Sequence, residues 1–236
     1  MKMFSRGFLS TSSNWMFGAA RTGPKAPDTG DFRRLAMQLH YDLPREEGGR
    51  SVLLVTPDIS SLPAYSGALL AQCLAEELRS HVLLVDACRK ASDLTRLAEA
   101  QGAPGLANYL GDPRITLDAV TVPTRHENVW LLPSGNPSES ADTRGAERNT
   151  ESAGIAALLA DAAEKFDFVV LAGGSVLHDS LALAMAPQAG CVLLMAVENQ
   201  TRLEDLDLAQ QSLAFCRPRK IGLLLTLPIR PDGRTA

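Results

Sequence analysis

The chain has 236 residues, of which 45% are hydrophobic and 21% are charged, a composition typical of globular proteins. Its 23 Lys and Arg against 27 Asp and Glu give a net charge of −4, which argues against a nucleic-acid binder that depends on bulk positive charge. The 4 cysteines are widely spaced without a CxxC pair, so neither a zinc site nor a disulfide framework is expected. No apolar run approaches the ~20 residues of a membrane-spanning helix. The composition therefore predicts a soluble domain in a reducing compartment.

Residues 1–28 differ from the rest of the chain. The stretch before Asp28 contains basic residues and no acid, and its aromatic residues alternate with Ser and Gly. The basic residues are Lys2, Arg6, Arg21 and Lys25, and the aromatic residues are Phe4, Phe8, Trp15 and Phe17. Three interpretations stay open: a flexible tail, a segment that touches a membrane surface or a partner, and an organellar transit peptide.

The remaining elements alternate between two patterns. Residues 31–41 (DFRRLAMQLHY) place apolar side chains on one side of a short amphipathic helix. Short apolar runs bounded by turn formers predict strands buried on both faces, as in a parallel sheet, at 51–56, 82–86, 129–132, 168–171, 192–195 and 221–225. Helical stretches lie between them at 65–78, 153–165 and 203–216, and 133–151 is predicted to be a polar surface loop. The alternation predicts an α/β three-layer sandwich with a mostly parallel sheet flanked by helices.

The loop after the first strand is where a parallel sheet of this kind would hold phosphates. A phosphate-binding loop needs glycines for close backbone approach, a lysine for the phosphate charge, and a Ser or Thr hydroxyl for Mg²⁺. Residues Thr56–Ala71 contain one glycine, two prolines and no lysine or arginine. The position predicts a phosphate site, whereas the residues do not.

The order of the motifs resembles the cytoplasmic kinase domain of bacterial tyrosine kinases (BY-kinases), which are relatives of the Min/Par partition ATPases. The resemblance extends from about Asp31 to Thr226 and is carried by FRRL, SVLLVT, VLLVDAC, GLANYLGD, VWLLPSGNPSES and FDFVVLAGGSVLHDSLALA. It implies a P-loop NTPase-like fold over residues 29–228, between the segment 1–28 and a C-terminal tail, 229–236. It also implies that the protein acts with polysaccharide co-polymerases in capsule and exopolysaccharide export.

The chain departs from this family at the phosphate loop. If Pro63 aligns with the family's loop proline, a degenerate loop replaces Gly-Glu-Gly-Lys-Ser-Thr with Ala64, Tyr65, Ser66, Gly67, Ala68 and Leu69. Tyr65 and Leu69 are expected to fill the volume of a nucleotide. One unit charge ~4 Å from a phosphate is worth ~4 kcal/mol at an effective dielectric near 20, before desolvation. ATP and Mg²⁺ are therefore not expected to bind tightly, and no cofactor is predicted.

Other family positions have also changed. Asp86 remains as the residual carboxylate, with a strand-end cap as its more ordinary role, whereas Cys88 and Ala172 replace the other two carboxylates. Asp179 is expected to cap a helix. In the subunit-contact motif E-x2-R-x2-R, Gly30 and Ala36 replace charged residues, and the remaining interface candidates are Arg33 and Arg34. The tail has no tyrosine.

These losses predict a catalytically inactive BY-kinase-like module without catalytic or metal-ligating residues. It would act at the inner face of the cell membrane as partner or regulator of a membrane polysaccharide co-polymerase or a related kinase, as a homo- or hetero-oligomer. Two alternatives stay open. One is an active ATPase or tyrosine autokinase that takes a cation from Arg89, Lys90 or Arg202, or from a neighbouring subunit; the other is a partition-type accessory protein.

Overall fold

The computed structural model describes residues 30–43, 50–60, 62–89, 93–135 and 147–226, and for residues 147–150 it describes the backbone only. The segment 1–28 and the tail 229–236 lie outside the described residues, as does Lys90.

Seven strands form one sheet in the order β3-β4-β2-β5-β1-β6-β7. Every neighbouring pair is parallel except β3 and β4, which are antiparallel. The strands are β1 (Arg50–Thr56), β2 (Val82–Ala87), β3 (Val122–Pro123), β4 (Val129–Leu132), β5 (Phe168–Ser175), β6 (Cys191–Val197) and β7 (Ile221–Thr226). The predicted mostly parallel sheet is confirmed.

Helices cover both faces of this sheet. In chain order they are α1 (Gly30–Asp42), α2 (Leu62–Leu78), α3 (Asp93–Leu97), α4 (Leu106–Gly111), α5 (Leu117–Val120), α6 (Glu147–Lys165), α7 (Ser180–Met185) and α8 (Leu203–Cys216). Within the described ranges, no helix has the length and apolarity needed to cross a bilayer.

Side-chain alternation along the strands divides the core into two clusters. Val52 and Leu54 face α1 and α2, whereas Leu53 and Val55 face the side covered by α6, α7 and α8. All four side chains are buried. A strand covered on both faces has no polar side, which is why the sequence shows continuous apolar runs. The predicted three-layer sandwich is therefore confirmed.

Some element boundaries differ from those predicted. Helix α6 begins at Glu147, so residues 147–151 are helical and do not belong to the predicted polar loop. Strand β5 continues beyond Leu171 to Ser175, through a pair of glycines. Helix α8 has the bounds that the sequence predicts.

Helix α1 is anchored to the sheet through Arg50, the first residue of β1. The Arg50 Nε donates to the Leu43 carbonyl at 2.9 Å, and its guanidinium carbon lies 5.2 Å from the centre of the Phe168 ring. Phe168 itself is fully buried. The guanidinium therefore joins the end of α1 to the amino ends of β1 and β5.

Candidate functional site

The connection between β1 and α2, residues 57–61, lies where a phosphate loop is expected. The structure corrects the predicted position of that loop, because α2 begins at Leu62 and Ala64, Tyr65, Ser66, Gly67, Ala68 and Leu69 are all helical. Pro63 lies in the first turn of this helix, where a proline is tolerated because the first N–H groups have no intrahelical acceptor. Pro63 is thus helical here, and its alignment with the family's loop proline stays a prediction.

Polar groups of the β1–α2 connection bond to one another. The Thr56 hydroxyl donates to the Asp58 carbonyl at 2.7 Å, and the Ile59 N–H donates to the Asp58 carboxylate at 2.7 Å. The Leu62 N–H donates to the Ser60 hydroxyl at 3.1 Å. The N–H groups of Ile59 and Leu62 are thus already satisfied by side chains of this connection.

The connection is also attached to the end of β5. The buried Ser175 hydroxyl donates to the Pro57 carbonyl at 2.6 Å and accepts from the N–H groups of Leu177 and His178, each at 3.2 Å. The His178 Nε2 lies 3.3 Å from a carboxylate oxygen of Asp58. These contacts hold the backbone after β1 against β5.

Helix α2 packs directly over Ala172, the residue that replaces the expected carboxylate of β5. A Cβ added to Gly67 would lie 3.4 Å from the Ala172 Cβ and from side-chain carbons of Leu54 and Leu84. Ala172 is buried in the same apolar cluster as both leucines. The site of the missing carboxylate is therefore closely packed and apolar.

Asp86 at the end of β2 is bonded on both oxygens. One oxygen accepts from the Thr95 N–H at 2.8 Å and from the Thr95 hydroxyl at 2.7 Å, and the other accepts from the Cys88 N–H at 3.4 Å. The Ser134 N–H in turn donates to the Thr95 hydroxyl oxygen at 2.8 Å. Burial raises the pKa of Asp86 above its ordinary value, while the bonds from Thr95 and Cys88 oppose the rise. Asp86 thus has the structural role of a strand-end cap, joining the ends of β2 and β4 to α3.

Gly174 at the end of β5 allows Asp179 to approach the strand. The register of β1 and β5 shifts there, with Leu54 opposite Ala172 and Thr56 opposite Ser175. A Cβ on Gly174 would lie 2.6 Å from the Asp179 Oδ2. The other oxygen, Oδ1, accepts from the Leu181 N–H at 3.0 Å, so the predicted helix cap is confirmed. Within the described ranges the buried Oδ2 has no hydrogen-bond partner.

The basic residues that could supply the missing positive charge have different surroundings. Arg89 forms an ion pair with Glu151 of α6. Arg202 is the exposed residue that precedes α8, and Lys90 lies outside the described residues. In the part of the chain that the structure describes, no group of His, Cys, Asp and Glu side chains has the arrangement of a metal site.

The two interface candidates lie on the outer surface of α1. The Arg33 Nε lies 2.9 Å from a carboxylate oxygen of Glu77 on α2. The Arg34 Nη1 lies 3.4 Å from a carboxylate oxygen of Asp31. Ala36, at a charged position of the family motif, is fully buried in the α1 surface that contacts the core. Arg33 and Arg34 stay interface predictions.

Sequence reasoning missed Thr95, Ser134 and Ser175. Ser175 lies 118 residues from Pro57, and Ser134 lies 39 residues from Thr95. Thr95 is only 9 residues from Asp86, but Ser and Thr are too common to single out without the tertiary contact. The glycine pair before Ser175 is the one local feature of the sequence that points to close packing at this place.

Solved structures provide a comparison for the whole fold. The chimeric protein CapA2B2 is 15% identical with a TM-score of 0.76, over 95% of this chain and 94% of that chain. The kinase domain of the Escherichia coli tyrosine kinase ETK is 19% identical, with a TM-score of 0.74. The match covers 89% of this chain and 79% of the ETK chain. The chain has the fold of a bacterial tyrosine kinase domain. The predicted resemblance is thus confirmed at the level of the fold.

The same fold occurs outside the kinases. A plasmid partition protein from Borrelia burgdorferi is 17% identical with a TM-score of 0.57, over 80% of this chain and 83% of that one. No protein-family model matches the chain, and no curated protein matches it in sequence.

Proposed function

We propose that this chain is a non-catalytic module with a bacterial tyrosine kinase fold, which binds and regulates a membrane polysaccharide co-polymerase or a related kinase in exopolysaccharide or capsule export. It would work at the inner face of the cell membrane. The observation that supports the proposal is the β1–α2 connection, where the N–H groups of Ile59 and Leu62 donate to side chains of the connection itself.

Phosphoryl transfer depends on positioning and on positive charge around the phosphates. The described residues of the connection include no lysine or arginine, and α2 begins without one. Ala172 lies under Gly67 in apolar packing, and Asp86 is bonded to Thr95 and Cys88. These residues do not fit a magnesium nucleotide, which supports a domain retained for its surface.

Isothermal titration of the full chain with ATP and Mg²⁺ tests the first half of the proposal. We expect no measurable heat of binding, whereas a kinase domain with an intact Gly-Lys-Ser-Thr loop, titrated as a positive control, binds. Micromolar affinity that Arg89→Gln abolishes would favour the alternative of an active enzyme with a displaced cation. Micromolar affinity that persists in Arg89→Gln would contradict the proposal equally.

Capture of membrane proteins by the immobilised full chain tests the second half. We expect a polysaccharide co-polymerase or a polysaccharide-associated kinase among the captured proteins, and a several-fold lower yield with Arg33→Glu/Arg34→Glu. Arg114→Glu is the control, because Arg114 is about as exposed as Arg34 and likewise pairs with a nearby aspartate, but lies outside α1. Recovery of neither class of protein would contradict the proposed partner.

A further inference from the structure

The end of α8 carries an exposed aromatic side chain that the fold does not use. Phe215 is 88% exposed, more than any other large hydrophobic residue that the structure describes, and Ile221 at the start of β7 is 40% exposed. Ala209 and Leu213, on the opposite side of α8, are fully buried. The position of Phe215 therefore contributes nothing to the attachment of α8 to the sheet.

Three basic residues lie between these two apolar ones. They are Arg217, Arg219 and Lys220, and together with Phe215 and Ile221 they form what we call the 215–221 patch. From Leu208 to Pro231 the sequence contains no acidic residue. The Lys220 ammonium donates to the backbone carbonyl of Asp42. The patch thus combines clustered positive charge with exposed apolar area.

The first turn of α8 has the opposite character. Leu203 is 72% exposed, but Glu204 and Asp205 follow it directly and Asp207 lies within the next turn. Acids at the start of a helix and bases after its end both stabilise the helix dipole, which accounts for the charges. It does not account for the exposure of Phe215 among the bases.

We infer that the 215–221 patch binds the surface of an anionic phospholipid bilayer. Basic residues near an anionic membrane each contribute electrostatic attraction, and an exposed aromatic side chain inserts at the level of the headgroups. A basic protein partner would be repelled by the same three charges. The acids around Leu203 would be repelled by the membrane, so the other exposed end of α8 stays in water.

This contact would orient the domain. The patch lies at the amino end of β7, whereas Asp86, Ser175 and the β1–α2 connection lie at the carboxyl ends of the parallel strands. With the patch on the bilayer, the candidate site faces away from it. The inference shares with the proposed function only the location at a membrane, since lipid binding by the purified chain needs no protein partner and no property of the nucleotide site.

Sedimentation of the full chain with vesicles tests the inference. One set contains phosphatidylglycerol and phosphatidylcholine, and the other contains phosphatidylcholine alone. We expect salt-sensitive binding to the first set and much weaker binding to the second. Phe215→Ser/Arg217→Asn should lower the partition coefficient at least fivefold, the equivalent of the ~1 kcal/mol expected for one basic residue at such a surface. Asn is chosen because Arg217 has a φ of 51°, a backbone conformation that Asn tolerates well.

Leu203→Ser is the matched control, since it removes an exposed apolar side chain from the acidic end of the same helix. It should bind vesicles like the unsubstituted chain, and both variants should keep its thermal unfolding midpoint. The inference is overturned if the unsubstituted chain does not bind vesicles that contain phosphatidylglycerol. It is also overturned if Phe215→Ser/Arg217→Asn binds them undiminished, which would assign lipid binding to another segment such as 1–28. Equal losses in both variants, or self-association through Phe215 without lipid binding, would also overturn it.

Discussion

Thr95 donates two hydrogen bonds to the Asp86 carboxylate, from its N–H at 2.8 Å and from its hydroxyl at 2.7 Å. Because the same hydroxyl oxygen accepts from the Ser134 N–H, one side chain joins the ends of two strands to the start of α3. A carboxylate at this edge of the sheet is thus used for structure.

Replacement of Thr95 tests that role. Thr95→Val removes the hydroxyl but keeps the shape of the side chain, and leaves both Asp86 and the Ser134 N–H short of a partner. We expect a loss of about 1–3 kcal/mol in the free energy of unfolding, measured by urea denaturation. Thr95→Ser keeps the hydroxyl and should lose less. A larger loss in Thr95→Ser than in Thr95→Val would show that the methyl group, rather than the bonds, matters.

Asp86 should give the stability of the chain a distinct dependence on pH. Its folded-state pKa is raised mainly by burial, so the folded chain holds this proton to a higher pH than the unfolded chain does. The stability contributed by Asp86 is present below the ordinary pKa of 3.8 and is lost as the pH rises from there through the folded-state pKa. Asp86→Asn should remove this fall from a pH series of unfolding free energies. An unchanged slope in Asp86→Asn would contradict the assignment.

Restoring the missing carboxylate of β5 should destabilise the fold. Ala172→Asp would place a charge in apolar packing against Gly67, Leu54 and Leu84. We expect a loss of about 3 kcal/mol or more at neutral pH, smaller in acid where the new carboxyl is protonated. Ala172→Ser, a polar but uncharged control, should lose less. A thermal midpoint for Ala172→Asp equal to that of the unsubstituted chain would show that the position is not closely packed.

The bond from Ser175 to Pro57 should hold the β1–α2 connection in place. Ser175→Ala removes the hydroxyl from the Pro57 carbonyl and from two N–H groups, which keep longer backbone bonds at 3.3 and 3.4 Å. We therefore expect a loss of about 1 kcal/mol in the free energy of unfolding. Hydrogen exchange read by mass spectrometry should rise in residues 56–60 and 175–179. Ser212→Ala is the control, because its exposed hydroxyl bonds only within α8. Unchanged exchange near Pro57 would argue against the tether.

The four cysteines should divide into two classes. Burial raises the pKa of Cys73 to about 12 and that of Cys191 to about 11. Burial also raises the pKa of Cys216, but Cys216 and Cys88 are only half-buried and so more accessible. A thiolate-directed reagent at neutral pH should therefore modify Cys88 and Cys216 first, and Cys73 and Cys191 only after unfolding. Mass spectrometry of peptides from briefly labelled protein locates each adduct. Early modification of Cys73 would contradict its burial in the core.

The apolar runs of the sequence predicted the strands of the sheet, whereas no local pattern predicted the structure of the β1–α2 region. Runs such as 51–56 and 82–86 are apolar because both faces of the strands are covered, a property that can be seen without knowing which helix covers them. Pro63 has no such unique signature, since a loop and the first turn of a helix both accept it. The start of α2 was therefore misplaced by several residues.

The sequence by itself determined that this chain is a parallel α/β sandwich without a lysine in its β1–α2 connection, because strand burial and side-chain chemistry depend only on the order of residues. The tertiary structure decided where the remaining groups act. It packs Gly67 over Ala172, and it joins Thr95 to Asp86 and Ser175 to Pro57, a pair 118 residues apart. Contacts between distant segments arise when the strands align in the sheet, and no local pattern encodes them.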